Sequence, residues 1–168
     1  MSSCNHCNQE YLEPLGNPKS DLLIVGEHPS REEYNKGYYL CGRTGDVLRS
    51  ELRQAGLTWN PQVMRYTTLW GHVKNDNNNC VLDGYQNLLP EMQNRLWILM
   101  LGEELSKLFI HAPLIDYIGL FVRMEGTAPA LVMFAPSQVM VMYDTVGELR
   151  LALDKLRRKV NENRISGG

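Results

Sequence analysis

The residues of this chain with the clearest chemical potential are Glu27 and His28, which follow the apolar run Leu22–Val25 and Gly26. An uninterrupted apolar run closed by glycine is typical of a strand that is buried on both faces. A carboxylate and an imidazole at the end of such a strand can transfer protons or stabilise charge that develops in a reaction. The plainer interpretations are that Glu27 accepts hydrogen bonds from loop amides and that His28 faces water.

The elements that must position this pair are predicted from the apolar runs and the periodic segments between them. The runs predict strands at 22–26, 63–69, 96–101 and 130–134. Strands that alternate with helical patterns are typical of an α/β fold with a mostly parallel sheet. Ligands bind such sheets beyond the carboxyl ends of the strands. We therefore expect one cleft there, lined by Glu27, Asn75 or Asn77, and Ser137.

A helix is also predicted near the end of the chain. Thr145 and Glu148 have the spacing of a capping box, and an apolar stripe follows them up to Val160. Basic side chains gather near the end of this helix, at Lys155, Arg157, Arg158 and Lys159. Solvated charges that suit the helix dipole are the expected explanation, and a face directed at DNA is the alternative.

Composition predicts a single globular domain over residues 1–168. Hydrophobic residues make up 43% and charged residues 21%, and the net charge of −2 gives no support for wholesale attraction to nucleic acid. No apolar run is long enough to span a membrane, and the polar first residues predict no signal peptide. We therefore expect a cytoplasmic monomer whose four cysteines do not form a disulfide framework.

Two motifs in the first third of the chain resemble a known family. GEHPSREE followed by GYYLCGRTGDVL is similar to the first motif of the family 4 uracil-DNA glycosylases, Gly-Glu-Ala-Pro-Gly and then Gly-x-Pro-Phe-Val-Gly-Arg-Ala-Gly. The order and spacing of the motifs hold from Cys4 to about Arg158. The resemblance implies a three-layer α/β/α sandwich with a four-stranded parallel sheet. It also implies DNA as partner and a pocket for a base that has left the stack.

The resemblance assigns catalysis to Glu27, with His28 as a further candidate, but three other positions depart from the family pattern. Leu40 replaces the stacking phenylalanine, Thr67 or Thr68 replaces the asparagine that reads uracil, and Ala135 replaces a histidine that supports the departing base. Uracil excision is therefore expected to be weak or absent unless His28 compensates. The positions implied to contact base or DNA are Pro29, Ser30, Leu40, Arg43, Thr67, Thr68, Asn75, Asn77, Ala135, Pro136 and Ser137.

The same resemblance implies a metal site. The family has a Cys-x-x-Cys before its first strand, where this chain has Cys4 and Cys7, and it uses these residues for an iron–sulfur cluster. The family pattern places the remaining ligands at His72 and Cys80. A Cys3His set suits zinc, and a [4Fe-4S] cluster remains an alternative. His6 is a competing ligand, thiols without any metal are the plainest interpretation, and Cys41 is interpreted as a packing residue.

Two functions follow as hypotheses. The first is an N-glycosylase that acts on uracil or a modified base in DNA. The second is a non-catalytic member of the same superfamily that binds DNA, a nucleotide or a protein partner through the altered pocket. An unrelated nucleotide-binding protein is disfavoured because the sequence contains no Gly-x-Gly-x-x-Gly or Walker pattern.

Overall fold

A computed structural model of the chain describes residues 2–113, 116, 120–122, 130–133, 154–159 and 161–162. Strands and helices alternate through most of this range. The strands are β1 Leu15–Gly16, β2 Leu22–Gly26, β3 Met64–Thr68, β4 Trp97–Leu101, β5 Phe121–Val122 and β6 Ala130–Met133. The helices are α1 Arg31–Lys36, α2 Arg43–Gln54, α3 Cys80–Met92 and α4 Glu103–Ile110. Residues 154–159 and 161–162 are also helical.

The sheet has six strands in the order β1-β3-β2-β4-β6-β5. The four predicted strands β2, β3, β4 and β6 are its central members, and they pair in parallel as expected. The expected four-stranded parallel sheet is extended at both edges by β1 and β5, which were not predicted and which pair antiparallel with their neighbours. Each edge strand has only two residues, which is too short to produce an alternating sequence pattern.

Alternate residues of the central strands bury opposite faces of the sheet. Leu22 and Ile24 pack on the side that carries α2, in a cluster with Leu48 and Leu52. Leu23 and further β2 and β4 side chains pack on the opposite side, in a cluster with residues of α3 and α4. The predicted three-layer α/β/α arrangement is therefore confirmed.

Two of the helices have notable local features. Helix α1 was not predicted, because its six residues are too few to show a helical period; a capping box in which Ser30 and Glu33 bond reciprocally holds it. Helix α3 begins at Cys80 and accommodates Pro90 near its last turn. The predicted capping pair Thr145 and Glu148 lies outside the described residues.

None of the helices within the described residues is both long and apolar enough to cross a membrane.

Candidate functional site

Glu27 lies at the carboxyl end of β2, between the ends of its neighbours. Its backbone carbonyl accepts the Trp70 N–H at 2.9 Å, which continues the pairing of β2 with β3. Its side-chain Oε1 accepts the Glu104 N–H at 2.8 Å, at the start of α4. Burial raises the pKa of Glu27, while the Glu104 amide and the nearby His28 and Lys74 oppose that rise. The carboxylate is thus fixed in place and is held in its ionised form less easily than an ordinary glutamate.

The Glu104 side chain connects two of the strand ends around Glu27. Its carboxylate accepts the Trp70 Nε1–H at 2.8 Å and forms an ion pair with Lys74. The Lys74 ammonium also lies 5.7 Å from the centre of the Trp70 ring. Glu104 thereby ties the loop after β3 to α4, the helix whose amide holds Glu27. The sequence predicted a strand at 96–101 but did not identify Glu104, just beyond it, as a site residue.

Gly102 makes room for Glu27. A Cβ at Gly102 would clash with the Glu27 carboxyl group, and the backbone φ of +126° is one that L-residues rarely adopt. We expect Gly102→Ala to displace Glu27 and to lower the free energy of unfolding by about 1–3 kcal/mol. Urea unfolding measures this loss. The matched control is Gly37→Ala, where φ is +80° but nothing lies within 4 Å. Equal losses in the two variants would contradict the proposed contact with Glu27.

A cavity of about 150 Å³ opens beside Glu27. The lining residues come from the β2 end and the loop after it, helix α1, the α1–α2 loop, helix α2 and strand β3. They are Gly26, Glu27, His28, Ser30, Glu33, Leu40, Thr44, Gly45, Leu48 and Tyr66. The volume is below the range of about 300–1,000 Å³ that is typical of sites for drug-sized ligands, so it suits one ring rather than a whole nucleotide.

Leu40 covers part of this cavity in a strained conformation. Its φ of +62° is left-handed, which is uncommon for a leucine. The Leu40 N–H donates to Glu33 Oε1 at 2.6 Å, and its carbonyl accepts a hydrogen bond from Arg49. Gly45 permits this approach, because a Cβ there would lie 2.6 Å from the Leu40 backbone. Strain that several contacts maintain is typical of functional loops.

Glu33 organises the whole α1–α2 loop, and sequence reasoning did not identify it. It is 3% exposed, and its carboxylate accepts hydrogen bonds from the Ser30 amide and hydroxyl as well as from Leu40. The Ser-x-x-Glu spacing of Ser30 and Glu33 is a capping-box signal that could have identified this residue.

The four predicted metal-site residues converge. The ligand atoms of Cys4, Cys7, His72 and Cys80 all lie within 4.8 Å of one another. Burial opposes ionisation of Cys4, but the His6 amide and the neighbouring side chains lower the pKa of Cys4 to about 6. The competing candidate His6 faces elsewhere, with Nε2 3.4 Å from Asp83. The residues therefore fit a metal ion, and the convergence expected from the sequence is confirmed.

The comparison with known families shows which superfamily the chain belongs to. A family model of the uracil DNA glycosylase superfamily matches residues 13–161. The chain belongs to this superfamily. It is also similar to the type-4 uracil-DNA glycosylase of Archaeoglobus fulgidus, with 34% identity over 62 residues. That alignment covers 34% of this chain and 31% of the relative. The chain thus matches about a third of the length of that curated relative.

At the predicted uracil-reading position, this superfamily member has a threonine in place of an amide side chain. The Thr68 hydroxyl lies 3.0 Å from the Tyr39 hydroxyl and accepts the Gly71 N–H at 3.1 Å. Thr67 and Thr68 are both buried and line a second cleft, of about 200 Å³, together with Tyr11 and Trp70. The Thr68 hydroxyl thus supports the loop after β3, and two of its three hydrogen-bonding sites are used there.

The remaining predicted base and DNA contacts of this superfamily member are distributed over two regions. His28 is exposed and Pro29 is buried beside the cavity, and Arg43 is an exposed residue at the start of α2. Asn75 and Asn77 instead contact the metal-site loops, where Asn75 Oδ1 lies 3.6 Å from Cys80 Sγ and Asn77 donates to the His6 carbonyl. Three further predicted residues lie outside the described residues, namely Ala135, Pro136 and Ser137.

Proposed function

We propose that the protein is a DNA N-glycosylase with altered base preference, which acts on a modified base more readily than on uracil. The observation that carries this proposal is the single-ring cavity bordered by the half-buried carboxylate of Glu27, whose pKa is raised. Membership of the uracil DNA glycosylase superfamily supports DNA as the substrate class. A base inside a duplex must leave the stack to reach such a cavity.

Glu27 has the central chemical role in this proposal. Breaking an N-glycosidic bond develops positive charge on the sugar, and a fixed carboxylate stabilises that charge. The same carboxylate orients the attacking water and takes up its proton as the water oxygen bonds to C1′ and the base departs with the bonding electron pair. A proton then completes the released base. His28, which is exposed beside Glu27 on the cavity wall, is the proposed donor of that proton.

DNA contacts outside the cavity follow from exposed basic groups near it. Arg43 is exposed at the start of α2, whose Thr44 and Gly45 line the cavity. A guanidinium there suits a DNA phosphate next to the extruded base. This contact positions the strand and does not read the sequence.

Base preference follows from the contacts of Thr68 and Leu40. An amide side chain at the predicted uracil-reading position could form paired hydrogen bonds with uracil, but Thr68 lines the second cleft and its hydroxyl is bound to Tyr39 and Gly71. Leu40 covers an apolar base without offering a π face. These features favour a base that is held by shape and apolar contact.

The same two features favour a second candidate function, a non-catalytic superfamily member that binds a base in DNA. In that case Glu27 would only anchor α4 through the Glu104 amide. The two functions differ in whether the base is released.

The experiment that tests the proposal is a strand-cleavage assay after alkali treatment, on oligonucleotides that carry uracil and a panel of modified bases. We expect cleavage at one or more modified bases, and a loss of about 100-fold or more in Glu27→Gln. The reaction rate should fall as the pH drops through the pKa of Glu27, because the ionised form is the active one. This fall should occur at a higher pH than for an ordinary glutamate, whose pKa is about 4.3.

The matched control is Glu32→Gln, which neutralises an exposed acid that pairs with Lys36 on α1. Its rate should remain that of the native chain. No cleavage at any base, with DNA still bound, would support the non-catalytic function instead.

A further inference from the structure

The metal site has the dimensions of a single ion. Two ligands bonded to one tetrahedral zinc at about 2.0–2.3 Å are separated by about 3.6 Å for a sulfur–nitrogen pair and about 3.8 Å for two sulfurs. Cys7 Sγ lies 3.6 Å from His72 Nε2, and all four ligand atoms lie within 4.8 Å of one another. The Cys7–His72 distance matches one tetrahedral ion, and the longest separation among the four atoms would have to close by about 1 Å around it.

The [4Fe-4S] cluster implied by the family resemblance does not fit the distances between the four ligand atoms. A cubane binds each protein ligand through a different iron, so its ligand atoms point outward and stand roughly 6 Å apart. Ligand atoms within 4.8 Å would have to separate along every edge of the site to admit the atoms of the cluster.

The surroundings of the site resist such an expansion. Cys4, His72 and Cys80 are fully buried. The Tyr11 ring stacks on His72 at 5.6 Å between ring centres, and the Trp70 ring meets it edge-on at 5.8 Å.

The backbone around Cys4 and Cys7 also brings their sulfurs together. The Asn8 N–H donates to the Cys4 carbonyl at 2.9 Å, and Asn8 adopts a left-handed φ of 58°. Asparagine tolerates that conformation better than most residues. Asp83 fixes the same turn by accepting the Asn5 N–H at 2.7 Å.

The histidine is oriented as a ligand to one ion. His72 Nδ1 lies 2.8 Å from the Val73 carbonyl, so Nδ1 carries the proton and donates it. Nε2 then presents its lone pair toward Cys7 Sγ. A backbone carbonyl behind the ring is the usual way in which a metal-binding histidine is fixed.

We propose that Cys4, Cys7, His72 and Cys80 hold one zinc ion in place of the iron–sulfur cluster that the family resemblance implies. Three thiolates and one imidazole in a closed tetrahedral set are typical of a structural zinc site. The ion has no redox chemistry, and it joins residues before β1 to the loop and helix that follow β3.

The test is metal analysis of full-length protein that has been purified without oxygen, with zinc, iron and acid-labile sulfide measured per chain. We expect about one zinc, no sulfide and no visible absorption band. Protein stripped of metal is then offered zinc in competition with ferrous iron and sulfide. Zinc should occupy the site and restore the thermal midpoint of the native protein.

Two variants sharpen this test. His72→Cys offers a fourth thiolate in place of the imidazole and should still bind zinc rather than an iron–sulfur cluster, because the Cys4, Cys7 and Cys80 sulfurs keep their spacing. Cys41→Ser changes a cysteine outside the site and should leave zinc content unaltered. About four irons with matching sulfide in the native chain, or metal-free protein of unchanged thermal midpoint, would overturn the proposal.

Discussion

Replacement of Cys7 by serine is expected to abolish stoichiometric metal binding and to lower the free energy of unfolding by at least about 3 kcal/mol. A serine hydroxyl is a poor ligand for a soft metal, so the remaining residues lose the closed tetrahedral set. Binding free energy at a structural metal site is folding free energy, because the unfolded chain does not present the ligands together.

The expected loss is large because the site joins distant parts of the chain. His72 and Cys80 lie more than 60 residues from Cys4 and Cys7 along the sequence. Cys4 and Cys80 are also members of the core cluster on the α3 and α4 side of the sheet. Loss of the ion would leave their thiol groups buried there without a partner metal.

Urea unfolding with and without a chelator measures this effect. The chelator should destabilise the native chain and Cys41→Ser alike, while Cys7→Ser should be equally unstable in both conditions. A chelator-sensitive Cys7→Ser variant, or native unfolding that the chelator does not change, would count against a structural metal.

Excision of uracil by the native chain is expected to be weak or absent. Loss of one positioned donor to a departing anion costs about 3 kcal/mol, which is roughly a hundredfold or more in rate. Ala135 stands at the sequence position where the family pattern has such a donor. Leu40 in place of an aromatic ring forgoes stacking that is worth about 1–3 kcal/mol per base. These losses need not add, because neighbouring groups couple.

Restoring the donor tests this explanation. Ala135→His should raise the rate of uracil excision by roughly a hundredfold in single-turnover assays, because it returns an imidazole to the position where the family pattern has one. Leu40→Phe alone should give a smaller gain, since a left-handed backbone at this position strains any bulky residue. Efficient uracil excision by the native chain would refute the prediction. If His28→Ala removed that activity, His28 would be the compensating donor.

Much of the fold could be predicted because β2, β4 and β6 produce continuous apolar runs and β3 is rich in β-branched and aromatic residues. Runs such as Leu22–Val25 stand out only when every side chain of a strand is apolar, and β2 is buried along its whole length. The edge strands β1 and β5 have two residues each, so no pattern could distinguish them. Their pairing depends on tertiary contacts that sequence periodicity does not encode.

The candidate site could be predicted where function demands particular residue types. Glu27 and the metal-site residues matched family motifs, and the structure places Glu27 at a cavity and brings the four metal-site residues together. Asn75 and Asn77 were expected at the base cleft because they follow β3, but their loop turns toward the cysteines. Glu33 and Glu104 act through backbone amides and neighbouring side chains, and those contacts exist only in the folded chain.

The most direct test of the account is measurement of the free base released from DNA. Duplex DNA that contains the best base from the cleavage panel is incubated with zinc-loaded protein, and the free base is quantified by mass spectrometry beside the abasic sites that form. We expect equal amounts of free base and abasic sites from the native chain and from Glu32→Gln, with release about 100-fold slower in Glu27→Gln. Intact DNA in every reaction, or equal release by Glu27→Gln and the native chain, would contradict the account.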